Sequence, residues 1–230
     1  MTTANRLAWW ALLLVFFILP IEEPFAADRA EPYVALYGGA TLPQSFQDVR
    51  GTGTFSGIQL TDLDLKQSAI VGGKLGFFLP GRDRWSGIET EFFYTNPHIK
   101  QQNIGFTGSG VPPTTANFAG AHVRVATWAV NWILRYPGER FQPYVGFGPG
   151  IFWGRMSGQH LGQAPPDLGT GSDTSLGINA LAGARFFFTK RLALFGEYKY
   201  NRASFDFGGT AAIHVLYQPQ HIVGGLSFHF

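Results

Sequence analysis

Apolar and polar residues alternate along most of the chain beyond residue 30. A period of two predicts β-strands with one apolar face, and no segment has the period of a helix. Most of the alternating segments reach about 9 residues, the length that a tilted transmembrane strand needs. The pattern predicts eight strands, at residues 32–40, 67–79, 85–95, 121–136, 141–154, 174–188, 192–202 and 220–230.

The connections between these segments alternate strictly between short and long. The short ones are polar, and the long ones are rich in Gly, Ser, Thr, Pro and Gln without strands of their own. Outer-membrane barrels have this asymmetry, with short periplasmic turns and long external loops. We therefore predict an all-β fold, an eight-stranded antiparallel up-and-down transmembrane β-barrel. The short connections are residues 80–84, 137–140 and 189–191, and the long ones are residues 41–66, 96–120, 155–173 and 203–219.

The bulk of the side chains predicts which face of each strand contacts lipid. In the fifth strand, Val145, Phe147 and Trp153 lie opposite Gly146 and Gly148. Glycines leave no side chains to fill an interior, whereas tryptophans would overfill one. We therefore expect the aromatic faces to contact lipid and a narrow lumen to be lined by small and polar residues.

The first and fifth strands depart from the regular pattern. In the first, Tyr33 and Tyr37 share one face while Val34 and Leu36 share the other, so the pattern leaves its orientation open. Pro149 lies within the fifth strand and has no N–H for the ladder of hydrogen bonds. We expect a bulge or the upper end of the strand at this position.

Charged residues inside the strands need partners, because an unpaired buried charge is strongly destabilising. Charges in barrel strands avoid the lipid face, so we predict a network of ion pairs in the lumen. The alternative places some of these charges at the rims, where solvent-exposed pairs contribute about 0–1 kcal/mol. The predicted network consists of Lys74, Glu89, Glu91, Arg185, Glu197 and Lys199.

The positions of the short turns predict the register of three hairpins. The turns are placed between residues 82 and 83, between residues 138 and 139, and on Arg191. The resulting cross-strand pairs are Lys74 with Glu91, Asn131 with Gly146, and Arg185 with Glu197.

The N-terminus has the pattern of an export signal. Arg6 precedes an apolar run at residues 7–19, which is short for a membrane span but typical of the apolar region of a signal peptide. We predict a cleaved signal peptide over residues 1–26 and a barrel domain over residues 27–230. The alternative is an uncleaved membrane anchor.

Composition excludes several classes of protein. Hydrophobic residues make up 45% and charged residues 14%, which excludes a disordered chain, and the absence of Cys excludes a disulfide scaffold. The 17 basic residues are spread along the chain and nearly balanced by 15 acidic ones, so nucleic acid is not expected as a partner.

Candidate catalytic and metal-binding residues are sparse. His221 and His229 share a face but lie about 26 Å apart along a strand, too far to chelate one ion. His122, near the outer end of the fourth strand, is the best single candidate for catalysis, but we place no His–Ser pair on one strand. We therefore expect no catalytic, cofactor-binding or metal-binding residue. The other histidines, His98, His160 and His214, lie in or beside the loops.

The last strand ends in a pattern of apolar residues at alternate positions, formed by Leu226, Phe228 and Phe230. This pattern resembles the C-terminal signature of outer-membrane barrels. The resemblance implies that these three residues form an assembly signal and that the barrel-assembly machinery is a partner.

Two hairpins extend the resemblance. Residues 131–136 with 143–148, and residues 183–186 with 197–200, resemble consecutive hairpins of the OmpA-type/opacity-type outer membrane protein β-barrel domain family. The resemblance covers about residues 31–230. It implies a monomer in the outer membrane of a Gram-negative cell, in contact with outer-membrane lipid and lipopolysaccharide, with loops that are free to meet an external ligand.

Three functions fit a barrel of this size. The first is a non-enzymatic surface or structural role, with loops that contact external partners. The second is a narrow porin-like conduit for ions or small hydrophobic molecules, as in OmpW-like barrels. The third is an enzyme that modifies lipid A. Eight strands enclose an interior that side chains just fill, which disfavours a general diffusion pore.

Overall fold

Eight strands close into one antiparallel barrel in the computed structural model. Each strand pairs with the next along the chain, and the last pairs with the first. The predicted fold class is confirmed. The strands are β1 Glu31–Thr41, β2 Ser68–Phe78, β3 Ser86–Thr95, β4 Ala121–Arg135, β5 Phe141–Ser157, β6 Gly171–Phe187, β7 Leu192–Phe207 and β8 Gln220–His229.

The predicted signal peptide and His160 lie outside the described residues. None of the described residues forms a helix long and apolar enough to cross a bilayer. The structure describes residues 30–42, 44–52, 56–60, 63–81, 84–100, 102–108, 111–118, 120–157, 171–208 and 213–230.

The long connections gather at one end of the barrel, called here the loop end, and the short connections lie at the opposite turn end. The expectation that the long connections lack strands was wrong. Ile213–Tyr217 pairs with the last residues of β7, and Ser45–Gly51 pairs with Ile213–Tyr217, so the wall continues beyond the barrel. The strands within these connections are Ser45–Gly51, Ile58–Leu60, Leu63–Asp64, His98–Ile99, Gln102–Gly108, Val111–Phe118 and Ile213–Tyr217.

The pairing of β1 with two neighbours decides its orientation. Tyr33, Ala35 and Tyr37 are buried in the lumen, whereas Leu36 is 75% exposed on the outside. The tyrosines fit inside because glycines stand directly across from them on β2. Gly76 pairs with Tyr33, and Gly72 pairs with Tyr37.

The polarity of the strands inverts near the loop end. On β7, Leu194 and Tyr198 face outward while Glu197 faces the lumen. Nearer the loop end, Arg202 faces outward and Phe205 faces inward. An apolar exterior suits lipid and a polar exterior suits water, so the inversion marks the upper boundary of the lipid-facing band.

The interior is therefore filled in two layers. Charged and polar groups occupy the part nearer the turn end, and an apolar layer closes the loop end. The expectation of a lumen lined only by small and polar residues was wrong in both parts. Near the loop end the wall faces water and buries its apolar side chains inside, as a soluble barrel does. The part nearer the turn end also buries Phe78, Phe93 and Phe195 among its charged groups. The apolar layer consists of Phe46, Val49, Leu63, Leu65, Ile99, Ala121, Val123, Val125, Phe152, Met156, Ala203, Phe205, Phe207, Val215 and Tyr217.

The predicted register is right in one hairpin and wrong in two. Lys74 lies opposite Glu91, as predicted. Arg185 instead lies opposite Phe195, and Glu197 lies opposite Gly183. The turn after β6 is centred on Lys190 because the Thr189 hydroxyl accepts hydrogen bonds from the backbone N–H groups of residues 191 and 192.

The β4–β5 hairpin is shifted in the same way. Gly146 lies opposite Ile133 rather than Asn131, because the N–H of Tyr136 bonds to the carbonyl of Pro143 and the turn is centred one residue later. Both shifts move the partner by two residues. An even shift keeps every side chain on its own face, so the predicted faces survive the errors in register.

Candidate functional site

The six residues of the predicted network come from four strands and meet inside the barrel. Lys74 lies on β2, two glutamates lie on β3, Arg185 lies on β6, and the last two residues lie on β7. Each is at most 4% exposed. Three of the six are carboxylates and three are cations, so the cluster, called here the charge network, is formally neutral.

Two lysines hold the three carboxylates together. Lys74 Nζ lies 2.7 Å from Glu197 Oε2, 3.0 Å from Glu89 Oε1 and 3.7 Å from Glu91 Oε2. Lys199 Nζ donates to Glu91 Oε1 at 2.6 Å and lies 3.3 Å from Glu197 Oε1. The cross-strand pair that the register predicts, Lys74 with Glu91, is therefore the longest of the contacts that Lys74 makes.

Arg185 is held mainly by aromatic rings. Its guanidinium carbon lies 4.2 Å from the ring centroid of Tyr33 and 4.7 Å from that of Tyr144, and its Nη2 is 3.6 Å from Glu89 Oε2. Its Nε and Nη1 have no hydrogen-bond partner within the described part of the chain. A guanidinium stacked in this way is stabilised by the faces of both rings.

Tyrosine and asparagine side chains complete the network, and sequence reasoning missed their part in it. Tyr33 donates to Glu89 at 2.6 Å, and Tyr144 donates to Glu197 at 2.8 Å. Asn179 donates to Glu91 at 2.6 Å. Their inward positions follow from the alternation on β5 and β6, but on β1 the alternation was ambiguous.

A second polar cluster, called here the rim cluster, closes the turn end. Arg135 Nη2 donates to Glu31 Oε2 at 2.5 Å, and Arg135 Nη1 donates to Gln142 at 3.0 Å. His229 Nδ1 lies 2.8 Å from Glu31 Oε1. Nothing in the spacing along the sequence indicates this cluster, because Glu31 is about 100 residues before Arg135 and about 200 before His229.

A Ser–His pair does lie on one strand, contrary to the sequence expectation. Ser227 Oγ is 3.3 Å from His229 Nε2, so Ser227, His229 and Glu31 have the order of a Ser–His–acid triad. The hydroxyl is fully buried, and Arg135 already occupies the second oxygen of Glu31. The arrangement satisfies buried polar groups and offers the serine no opening to a substrate.

His98, His122 and His214 lie apart from these clusters, whereas the buried His221 lies 3.0 Å from Asn201 Oδ1, whose amide donates to Asn179 of the charge network. His98 and His122 stand directly across from each other outside the barrel, with ring centroids 3.6 Å apart. The pKa of His98 is lowered by partial burial and by the neighbouring His122 and Lys66. No group of three metal-ligating side chains is found among the described residues. His214 lies 2.7 Å from Asp206.

The three residues of the predicted assembly signal lie on the outward side of β8. Leu226 and Phe230 are exposed, and the rings of Phe228 and Phe230 pack edge to face with centroids 5.1 Å apart. Recognition of these residues by the assembly machinery stays a prediction.

Comparisons with known proteins agree with this architecture. A family profile described as "outer membrane protein beta-barrel domain" matches residues 11–230. Among solved structures, the chain is similar to the outer membrane protein OprG from Pseudomonas aeruginosa, with 15% identity, 88% of this chain and 97% of that chain covered, and a TM-score of 0.52. At this identity the likeness shows the fold alone.

Two further solved structures are similar at lower scores. Neisserial surface protein A (NspA) has 13% identity, with 88% of this chain and 100% of that chain covered, and a TM-score of 0.47. Ail of Yersinia pestis has 13% identity, with 87% and 98% covered, and a TM-score of 0.45. The search of curated proteins gave no match.

Proposed function

The chain belongs to the outer membrane protein beta-barrel domain family, and from this membership and its filled interior we propose that it is a non-conducting structural barrel of the outer membrane. Its loop end faces the outside of the cell and its turn end faces the periplasm, as is usual for such barrels. The strands within the long connections extend the wall outward and carry the surface that meets external partners.

The observation that carries this proposal is the two-layer filling of the lumen. The charge network blocks the lumen within the lipid-facing band, and the apolar layer closes it again at the loop end. An ion that crossed would have to break buried ion pairs and then enter an apolar layer, and both steps are costly. Because one layer of side chains is charged and the other is apolar, neither ions nor apolar molecules find a continuous path, which favours a structural role over conduction.

Conductance across planar lipid bilayers tests the closed barrel. The refolded protein is expected to give no stable open-channel steps under conditions in which a diffusion porin conducts. Stable steps in the wild-type protein would overturn the proposal.

The absence of enzymatic activity needs its own experiment. The buried triad-like arrangement at Ser227 makes Ser227→Ala the informative variant. Lipid A extracted from cells that express the wild-type protein or this variant is expected to have the same mass spectrum as lipid A from cells without it. A change in lipid A mass that depends on Ser227 would instead support a lipid-modifying enzyme.

A second candidate, a conduit for small hydrophobic molecules, is favoured by an interruption in the ladder between β4 and β5. Ladder pairs on either side of Pro149 join Ala129 to Gly150 and Trp132 to Phe147, but the two intervening pairs are missing. A groove of about 830 Å³ lies on the outside of the wall at this interruption and is lined mainly by apolar side chains. Asn131 and Asn179, whose buried amides belong to the polar filling of the lumen, lie in the wall behind this groove.

Uptake of a small apolar fluorophore into proteoliposomes separates the two candidates. A structural barrel takes up no more dye than empty liposomes. Uptake by the wild-type protein that falls when Pro149→Val restores the missing N–H would favour the conduit and count against the structural role.

A further inference from the structure

Two arginines face each other on the outside of the wall at the loop end. Arg124 on β4 and Arg155 on β5 are direct cross-strand partners, and both are exposed. Like charges directly opposite each other on a sheet are destabilising. A pair of this kind in an exposed wall points to an anion that lies between the two guanidinium groups.

No carboxylate of the described residues forms an ion pair with either arginine. Asp173 on β6 is next to this position, since it pairs with Gly154. Its two oxygens already accept hydrogen bonds from the backbone N–H groups of Thr174 at 2.8 Å and Asp206 at 2.7 Å.

The arginines lie immediately beyond the lipid-facing band. The outward positions of β5 run from Phe141 at the turn end to Trp153, and Arg155 is the next outward residue. Twelve residues of a strand tilted by about 40° span about 30 Å, which is the thickness of the hydrocarbon core. The guanidinium groups are therefore at the level of the lipid headgroups of the outer leaflet.

A depression beside Arg155 adds polar groups at the same level. It has a volume of about 490 Å³ and lies between β5 and β6. Trp153 forms its lower, apolar side, and Arg155, Ser172, Asp173 and Thr174 belong to its lining; the carboxylate of Asp173 is held by the backbone N–H groups of Thr174 and Asp206. A phosphate on a sugar would meet charge and hydroxyl groups here while its acyl chains contact the tryptophan.

We propose that Arg124, Arg155 and this depression bind a phosphate monoester of the outer-leaflet glycolipid, the lipid A part of lipopolysaccharide. Arginine pairs with phosphate through two parallel hydrogen bonds, and two arginines offer such forks from both sides. Arg202 on β7 is likewise the first charged outward residue beyond Tyr198 and Tyr200, but it pairs with Ile178, which pairs with Pro149, so it lies apart from this site. This lipid contact is independent of whether the lumen conducts.

Native mass spectrometry of the protein in detergent tests the proposal. The wild-type protein is expected to bind bisphosphorylated lipid A at least about tenfold more tightly than dephosphorylated lipid A, as charge-assisted hydrogen bonds require. The double variant R124Q/R155Q is expected to bind both lipids equally and weakly. The control R140Q/K190Q removes the same charge from exposed positions at the turn end and is expected to behave as the wild type.

The other results overturn the proposal. If R124Q/R155Q keeps the preference for the phosphorylated lipid, or if the control loses it equally, the site is not at these arginines. If inorganic phosphate displaces lipid A at equal concentration, the site recognises the free ion rather than the lipid. If the double variant does not fold, the single variant R155K tests the site instead. It keeps the positive charge but loses the two parallel hydrogen bonds of the guanidinium. An undiminished preference of R155K for the phosphorylated lipid would count against the site.

Discussion

At the scale of single residues, Lys199 shows how the interior holds its charge. Its ammonium group lies between Glu91 and Glu197, and neither carboxylate is reached by water. Such a pair is a weak source of net stability, because desolvation offsets most of the attraction. Removing one partner is different, since it leaves a carboxylate buried without its counterion.

Lys199→Met is therefore expected to lower the free energy of unfolding by about 3–5 kcal/mol. Urea titration of the protein in lipid vesicles measures this change. Lys190→Met is the matched control, because Lys190 is exposed in a short turn, and its effect should stay within about 0.5 kcal/mol. Equal stability of the two variants would show that Lys199 is not needed to neutralise the buried carboxylates.

At the scale of elements, glycines on one strand make room for tyrosines on the next. Tyr33 stands across from Gly76. A Cβ atom at Gly76 would lie 2.6 Å from the ring of Tyr33. The ring cannot move aside freely, because it stacks on Phe78 and His229 and its hydroxyl donates to Glu89. The glycines are thus part of the packing of the lumen rather than spacers around an open channel.

Gly76→Ala is expected to destabilise the barrel by about 1–3 kcal/mol, as overpacking of a filled interior does. Gly196→Ala is the control, because Gly196 also lies within a strand but a Cβ atom there would meet nothing within 4 Å. The unfolding midpoints of both variants in urea provide the comparison. A loss of stability that is the same at both positions would refute the proposed contact with Tyr33.

At the scale of the whole molecule, the protein combines a membrane barrel with a soluble one. The lipid-facing band has its apolar side chains outside, and the part nearer the loop end has them inside. Strands β4, β5 and β7 contribute residues to both parts, and strands of the long connections supply the rest of the apolar layer, so the transition lies within continuous strands. On β7 this inversion lies between Tyr200 and Phe205, so the boundary between lipid and water crosses the strand at these residues.

A closed barrel of this kind is expected to stay folded in SDS until it is heated, because its backbone hydrogen bonds have no open edge. The unboiled and boiled samples of an outer-membrane fraction should therefore migrate differently on an SDS gel. A band that occurs in the soluble periplasmic fraction and does not shift on heating would contradict the membrane assignment.

The sequence by itself determined the number of barrel strands and, except in β1, their lipid-facing sides, and it predicts that the residues of the charge network are inward. These depend on a period of two and on the cost of placing charge against lipid, and both are local properties of the chain. Lys74 and Glu197 are inward in any register that preserves the faces. For this reason their inward orientation is predicted correctly even where the predicted turn is wrong.

Only the tertiary structure decided the register, the orientation of β1 and the partners of each charge. Hairpin register depends on the hydrogen bonds of the turn, such as those to Thr189, and the tyrosines of β1 turn inward only because glycines stand across from them on β2. The contact of Lys74 with Glu197 crosses the lumen between strands that are not neighbours. Alternation tells which side of the wall a residue faces, whereas closure of the barrel decides what it meets there.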